Sequence, residues 1–188
     1  MSKEKLSEML LNLLFPPRCL LCGEIIPIKG GCPACRESFL RLRLEDEDCG
    51  LGILEEQSGG LLDGVCASFL YEEPISEAVA RFKFRGESWL AVDFAQYMAR
   101  DFARCFPEAD CALALGAPSS ERRRDHAARL AAAVAKLLGL PGDNRALAKI
   151  RRTAKQHELG SAERRTNLKG AFKVKSPEKV RGKSVLLV

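Results

Sequence analysis

The chain has 188 residues, 46% of them apolar, with 30 Lys or Arg against 25 Asp or Glu and a formal net charge of +5. This composition supports a buried core and excludes wholesale disorder, and the length suits one α/β domain with a small appended module. The charge is uneven, because residues 145–183 hold thirteen Lys or Arg and three Glu, leaving +10 there and −5 elsewhere. Such a run is either a solvated basic face or a surface for phosphates on a nucleotide, a sugar phosphate or a nucleic acid.

Leu6, Met9, Leu10, Leu13 and Leu14 recur at helical spacing until Pro16-Pro17, so residues 1–17 read as an N-terminal amphipathic helix. The apolar part, 9–15, is too short to span a membrane, and Glu4, Glu8 and the lack of a small-residue cleavage site argue against a leader. A cytoplasmic location is the expectation, and in that compartment thiols stay reduced and Cys-x-x-Cys pairs bind metal.

Residues 18–66 read as a zinc-ribbon module. Cys19, Cys22, Cys32 and Cys35 follow the spacing Cys-x2-Cys-x9-Cys-x2-Cys. Each pair places two sulfurs on one side of a tight turn, so two turns supply a tetrahedron of thiolates with no position open for chemistry. Iron fits the same four sulfurs, and zinc is the default for a structural site. Gly23 follows the second thiol, where a missing Cβ eases the turn. Cys49 and Cys66 stand alone, with Gly52 and Phe69 where a second thiol would complete each pair. Cys105 and Cys111 read as small core residues. Residues 41–64, acidic and Gly-rich, read as a linker or a degenerate second knuckle.

From residue 67 the pattern is that of an α/β domain, 67–188. A strand is expected at 67–71, then a helix with Ile75, Ala78, Val79 and Phe82 on one face, ending by Gly86. A second helix runs from Trp89 to Phe102, with Ser88 as N-cap. Residues 111–115 suit a buried parallel strand leading into Gly116-Ala117-Pro118. Leu130, Val134, Leu137 and Leu138 mark a helix closed by Gly139, and strands are expected at 147–150 and 185–188. This alternation argues for a parallel sheet with helices on both faces.

Ligands in such sheets collect at the carboxyl ends of strands, where helix N-termini offer amide donors to anions. Ser119, Ser120 and Arg122 lie in the loop after the 111–115 strand and are candidate phosphate ligands, with Arg123 and Arg124 beside them. The string Thr153-x2-Gln156-x2-Leu159-x4-Arg164-x2-Asn167-x2-Gly170-Ala171-Phe172 reads as an arm able to fold over a charged ligand. With it, Arg151, Arg152, Thr153, Gln156, Arg164 and Asn167 complete the candidate phosphate set. His126 and His157 fit no catalytic constellation and read as solvent-facing or capping residues, so no catalytic residue is assigned.

The order of these features resembles the ComF family. The residues that carry the likeness are Phe15-Pro16-Pro17-Arg18-Cys19-x2-Cys22-Gly23, Cys32-x2-Cys35, Phe82-Lys83-Phe84-Arg85-Gly86, the string from Thr153 to Phe172, and Gly182-Lys183-Ser184-Val185-Leu186-Leu187-Val188. The resemblance implies a zinc ribbon fused to a type I phosphoribosyltransferase-like domain, with a role in DNA uptake during natural competence or in a related nucleic-acid or salvage process. It also implies phosphoribosyl pyrophosphate with magnesium as ligands, and a protein of the competence machinery as partner.

Three departures bear on those expectations. The family's second knuckle is reduced to Cys49 and Cys66, and its Arg-Gly-Phe-Asn-Gln segment is replaced by Arg122-Arg123-Arg124-Asp125-His126. In the family an acidic pair and a Thr-Thr-Gly phosphate loop follow the strand at 185–188, so the chain as given is expected to lack transferase turnover. Two other classes of function remain open: a non-catalytic, zinc-containing module for single-stranded DNA, and a protein-docking scaffold.

Overall fold

The computed structural model describes residues 13–26, 32–44, 61–118, 125–154 and 159–188. Most of the expected N-terminal helix lies outside them, as do Cys49, Ser119, Ser120, Arg122, Gln156 and His157. The chain divides into two compact units, Met1–Asp93 and Phe94–Val188.

In the first unit the cysteine module opens with an antiparallel bridge between Arg18 and Ile25. A single 3-10 turn, Pro33–Cys35, leads into α1, Arg36–Leu42. Arg43 then turns extended and bridges Phe69. Its guanidinium donates to the Ser68 carbonyl at 2.7 Å and lies 5.0 Å over the Phe69 ring. The strand expected at 67–71 is therefore only this bridge, flanked by the Leu44 amide on Ser68 and the Leu70 amide on Leu42. Its partner among the described residues is Arg43 and Leu44, which leave α1.

Helix α2, Ile75–Phe84, buries Ile75, Ala78, Arg81 and Phe82 on one stripe. Three of these are the apolar positions the sequence marks, and the fourth is a cation. Gly86, at φ +80°, ends the segment in a left-handed conformation. Helix α3, Leu90–Cys105, follows and crosses from the first unit into the second. Cys105 is disulfide-bonded, a departure from the reduced core thiol read from the sequence.

The second unit continues with β1 (Cys111–Leu115), α4 (His126–Leu138), β2 (Leu147–Lys149), α5 (Ser161–Asn167), β3 (Phe172–Val174), α6 (Pro177–Val180) and β4 (Ser184–Leu187). Strands β1 and β4 pair in parallel, with Leu113 opposite Val185 and Leu115 opposite Leu187. Side chains alternate across a strand, so the pair has two apolar faces. Leu113, Leu115 and Val185 pack with Ala146, Leu147 and Val180, while Leu186 and Val188 pack with Ala95, Ala99 and Val134. The parallel pair covered on both sides is the expected α/β arrangement. Strand β2 departs from it and pairs antiparallel with β3, Leu147 opposite Val174. The chain between them turns back through short α5 and through Gly170 at φ +67°, the geometry of a hairpin arm rather than of a long parallel crossover. Among the described residues no helix is long and apolar enough to cross a membrane.

Candidate metal centre and phosphate loop

The metal centre is built from two turns. In the first, the Cys19 amide donates to the Glu24 carbonyl and the Gly23 amide to the Cys19 carbonyl, both at 2.8 Å. Gly23 sits at φ +78°, a conformation that favours glycine. In the second, Cys32 precedes the Pro33–Cys35 turn and the Cys35 amide closes it on the Cys32 carbonyl at 3.1 Å. The two turns bring all four sulfurs within 4.8 Å of one another, and Cys22 and Cys32 are 3.6 Å apart. Sulfurs around a tetrahedral zinc at ~2.3 Å stand roughly 3.8 Å apart. The cluster fits that ion, which in such a site closes all four positions and supplies folding energy, not reactivity.

The four thiols are not equivalent. Burial pushes the Cys19 thiol up, but hydrogen bonds from the Cys22 and Leu21 amides, and from the Cys22 and Cys32 thiols, outweigh it and bring it down to about 7. Burial raises Cys22 against the donation of the Glu24 amide. Burial also raises Cys35, and the neighbouring Cys32 and Cys22 sulfurs raise it further. Cys19, buried and supplied with two amide donors, is the sulfur prepared to be anionic. Cys66, half-buried, lies outside the cluster.

Of the phosphate set, Arg151, Arg164 and Asn167 are engaged with the chain itself. Arg151 donates to the carbonyls of Asn167 and Lys169, both at 2.8 Å. Asn167 pairs its side-chain amide with both backbone groups of Ala154, at 3.2 and 3.0 Å. Together they hold the end of α5 against the strand leaving β2. Arg164 donates from Nε to Leu159. Arg152 is exposed and Thr153 half-buried.

At the end of β1 the same pattern holds. Asn144 accepts from the Gly116 amide, and the Ala117 amide donates to the Val188 carbonyl. The Asp125 carboxylate accepts from Ala128, so the first turn of α4 already carries an anion. His126 follows this cap half-buried, not solvent-facing. Cys111, raised by burial and then by the Asp110 charge, stays a protonated thiol.

Sequence reasoning missed Arg81, Asn144 and the capping role of Asp125. Arg81 left one signal, a cation three residues after Ala78 on the apolar stripe of α2.

These features define an α/β protein that opens with a four-cysteine metal module of the ribbon type. The family profile described as Double zinc ribbon domain matches residues 10–68. Competence protein F of Haemophilus influenzae is 29% identical over 175 residues, with 82% of this chain and 75% of that protein covered. No solved structure matches the chain. The chain thus carries a double zinc ribbon near its N-terminus and is similar along most of its length to a competence protein, in line with the likeness that its motif order carries.

Proposed function

We propose that this chain serves in natural competence, as a ComF-type protein whose cysteine ribbon holds one structural zinc ion and whose α/β unit is phosphoribosyltransferase-like. The observation that supports this best is the four-sulfur cluster at the head of a chain alignable along most of its length with Competence protein F. In this reading the protein works in the cytoplasm beside the incoming DNA and a protein of the competence machinery. A phosphorylated ligand, phosphoribosyl pyrophosphate with magnesium, enters at the loop that follows β1. The described amides at Gly116, Ala117 and Ala128 are occupied by the chain, so its donors come from the loop beyond Pro118 and from Arg152.

Complementation tests this reading. A Haemophilus influenzae strain lacking Competence protein F, supplied with this chain, should regain transformation by chromosomal DNA, and the Cys22→Ser, Cys35→Ser double variant should not. Transformation that stays at the level of the empty vector, with the chain present and folded, sinks the competence reading. Calorimetric titration of the purified chain with phosphoribosyl pyrophosphate and magnesium separately tests the ligand.

A second reading, a module for single-stranded DNA, is favoured by Arg152, Lys173, Lys175, Arg181 and Lys183, which stand exposed along the arm and the approach to β4. The two readings differ in salt dependence, since only a polyanion releases many counterions on binding.

A further inference from the structure

Arg81 is an unusual residue to bury. It lies on α2, is 8% exposed, and is held from behind by Glu87, whose carboxylate accepts from Nη1 at 3.1 Å. Its Nη2 donates to two consecutive carbonyls of the first cysteine turn, Leu20 at 2.7 Å and Leu21 at 2.8 Å. In a trans peptide the C=O and N–H of one plane point in opposite directions. The Leu20 carbonyl shares its plane with the Leu21 amide, and the Leu21 carbonyl shares its plane with the Cys22 amide. Those two amides are the ones that donate to the Cys19 sulfur. One guanidinium therefore fixes the orientation of two peptide planes from their carbonyl side, and both planes present their N–H groups to a metal ligand.

The surroundings keep this arrangement in place. Gly23 leaves the space that Nη1 fills, for a Cβ at Gly23 would lie 2.6 Å from that nitrogen. A cation on the carbonyl side also polarises each peptide, which strengthens its N–H as a donor to sulfur. Four thiolates around a divalent ion leave a net negative cluster, and a buried cation beside it offsets part of that charge.

We infer that Arg81 is a positioning residue for the metal: through the Leu20 and Leu21 carbonyls it orients the two amides that hold the Cys19 sulfur, and so sets the affinity and electronic character of the site. The inference rests on the reading of Cys19, Cys22, Cys32 and Cys35 as a metal centre.

The full chain, stripped of metal and titrated with cobalt(II), provides the test, since a tetrathiolate cobalt centre shows sulfur-to-metal charge-transfer bands. Three variants are compared with wild type: Arg81→Met, Arg81→Lys and Ile75→Ala. The last thins the same buried stripe of α2 and removes no donor. We expect wild type to take one cobalt, and Arg81→Met to bind it about 10–100-fold more weakly, as is typical when an outer partner of a metal ligand is removed. Its charge-transfer bands should also move. Arg81→Lys, whose ammonium can serve the carbonyls but without the planar fork, should recover part of the loss. Ile75→Ala should lower the melting temperature while leaving the bands in place.

Wild-type affinity and bands in Arg81→Met would overturn the inference. So would an Ile75→Ala loss of affinity equal to that of Arg81→Met, because Arg81 would then act only through the stability of α2. A wild-type chain that takes no cobalt removes the metal centre itself, and Arg81's role with it. That outcome is distinct from cobalt bound equally by wild type and variant.

Discussion

Asn144 accepts from the Gly116 amide at 3.2 Å and donates to the Ala128 carbonyl at 3.1 Å, so one side chain ties the end of β1 to the first turn of α4. The two backbones meet at Gly116, where a Cβ would lie 2.6 Å from backbone atoms of Ala127 and Ala128. None of those atoms is the tip of a flexible side chain, so relief requires the helix to shift from the strand. We expect Gly116→Ala to cost about 3 kcal/mol by overpacking. Asn144→Ala, which unpairs a buried amide, should cost about 1–2 kcal/mol. Thermal unfolding reads both, at roughly 2–4 °C per kcal/mol for a chain of this size. A larger loss from Asn144→Ala would show that the hydrogen bonds, not the close approach, set the spacing.

The turn just before β2 carries a pH-dependent ion pair. Lys179 of α6 donates to the Asp143 carboxylate, and that bond, with the Arg145 amide next, holds the carboxyl below its ordinary range. A depressed folded-state value means that the pair stabilises above the unfolded carboxyl pKa, and that this stabilisation disappears as pH falls through the folded one. Asp143→Asn should therefore lower stability by about 1 kcal/mol near neutral pH. The difference should close well below about pH 3.9, the ordinary aspartate value. Urea denaturation across that range checks it, and a gap independent of pH would show that the charge on Asp143 does not carry the stabilisation.

The metal centre was legible because two Cys-x-x-Cys turns leave few geometries, and the sulfurs meet as the spacing predicts. The helices from Ile75 to Leu138 were legible from apolar period and from Gly86 and Gly139. What the sequence could not show was which polar groups the chain keeps for itself. Arg151 and Asn167 look like ligand residues by composition. Their partners, the carbonyls of Asn167 and Lys169 and the backbone of Ala154, are backbone groups that no residue letter reveals. Arg81 was hidden for the same reason, because its carbonyl partners lie 60 and 61 residues away in sequence. The β2–β3 pairing was misread because a three-residue strand carries too little pattern to fix its partner's direction.

Metal content follows from the cluster. We expect one zinc per chain by elemental analysis, and none in the Cys19→Ser, Cys35→Ser double variant, since two thiolates cannot hold a closed site. Cys66→Ser should keep the full content, because Cys66 lies outside the four-sulfur group. A ratio near two per chain, falling to one in Cys66→Ser, would establish a second site of the kind that the double-ribbon family name implies.

The basic arm separates a structural role from a binding one. Arg151 bonds two carbonyls at the end of α5, so Arg151→Ala should loosen the arm even with no ligand present. Arg152, Lys173 and Lys175 are exposed, and among the described residues no carbonyl bond of theirs matches those of Arg151. Their combined replacement by Ala should leave the melting temperature nearly unchanged, within about 0.5 kcal/mol per surface site. If the arm meets single-stranded DNA, that triple variant should also weaken oligonucleotide binding and flatten its salt dependence by roughly 0.7 in log–log slope for each phosphate no longer neutralised. Phe172 is the only Phe, Tyr or Trp between residues 145 and 183 and is 36% exposed, so stacking contributes little and the binding should show no preference of sequence. Fluorescence anisotropy over a salt series measures the slope. A wild-type slope near zero would leave the stretch as a solvated face. An Arg151→Ala variant that binds DNA less well yet melts like wild type would return Arg151 to the ligand set.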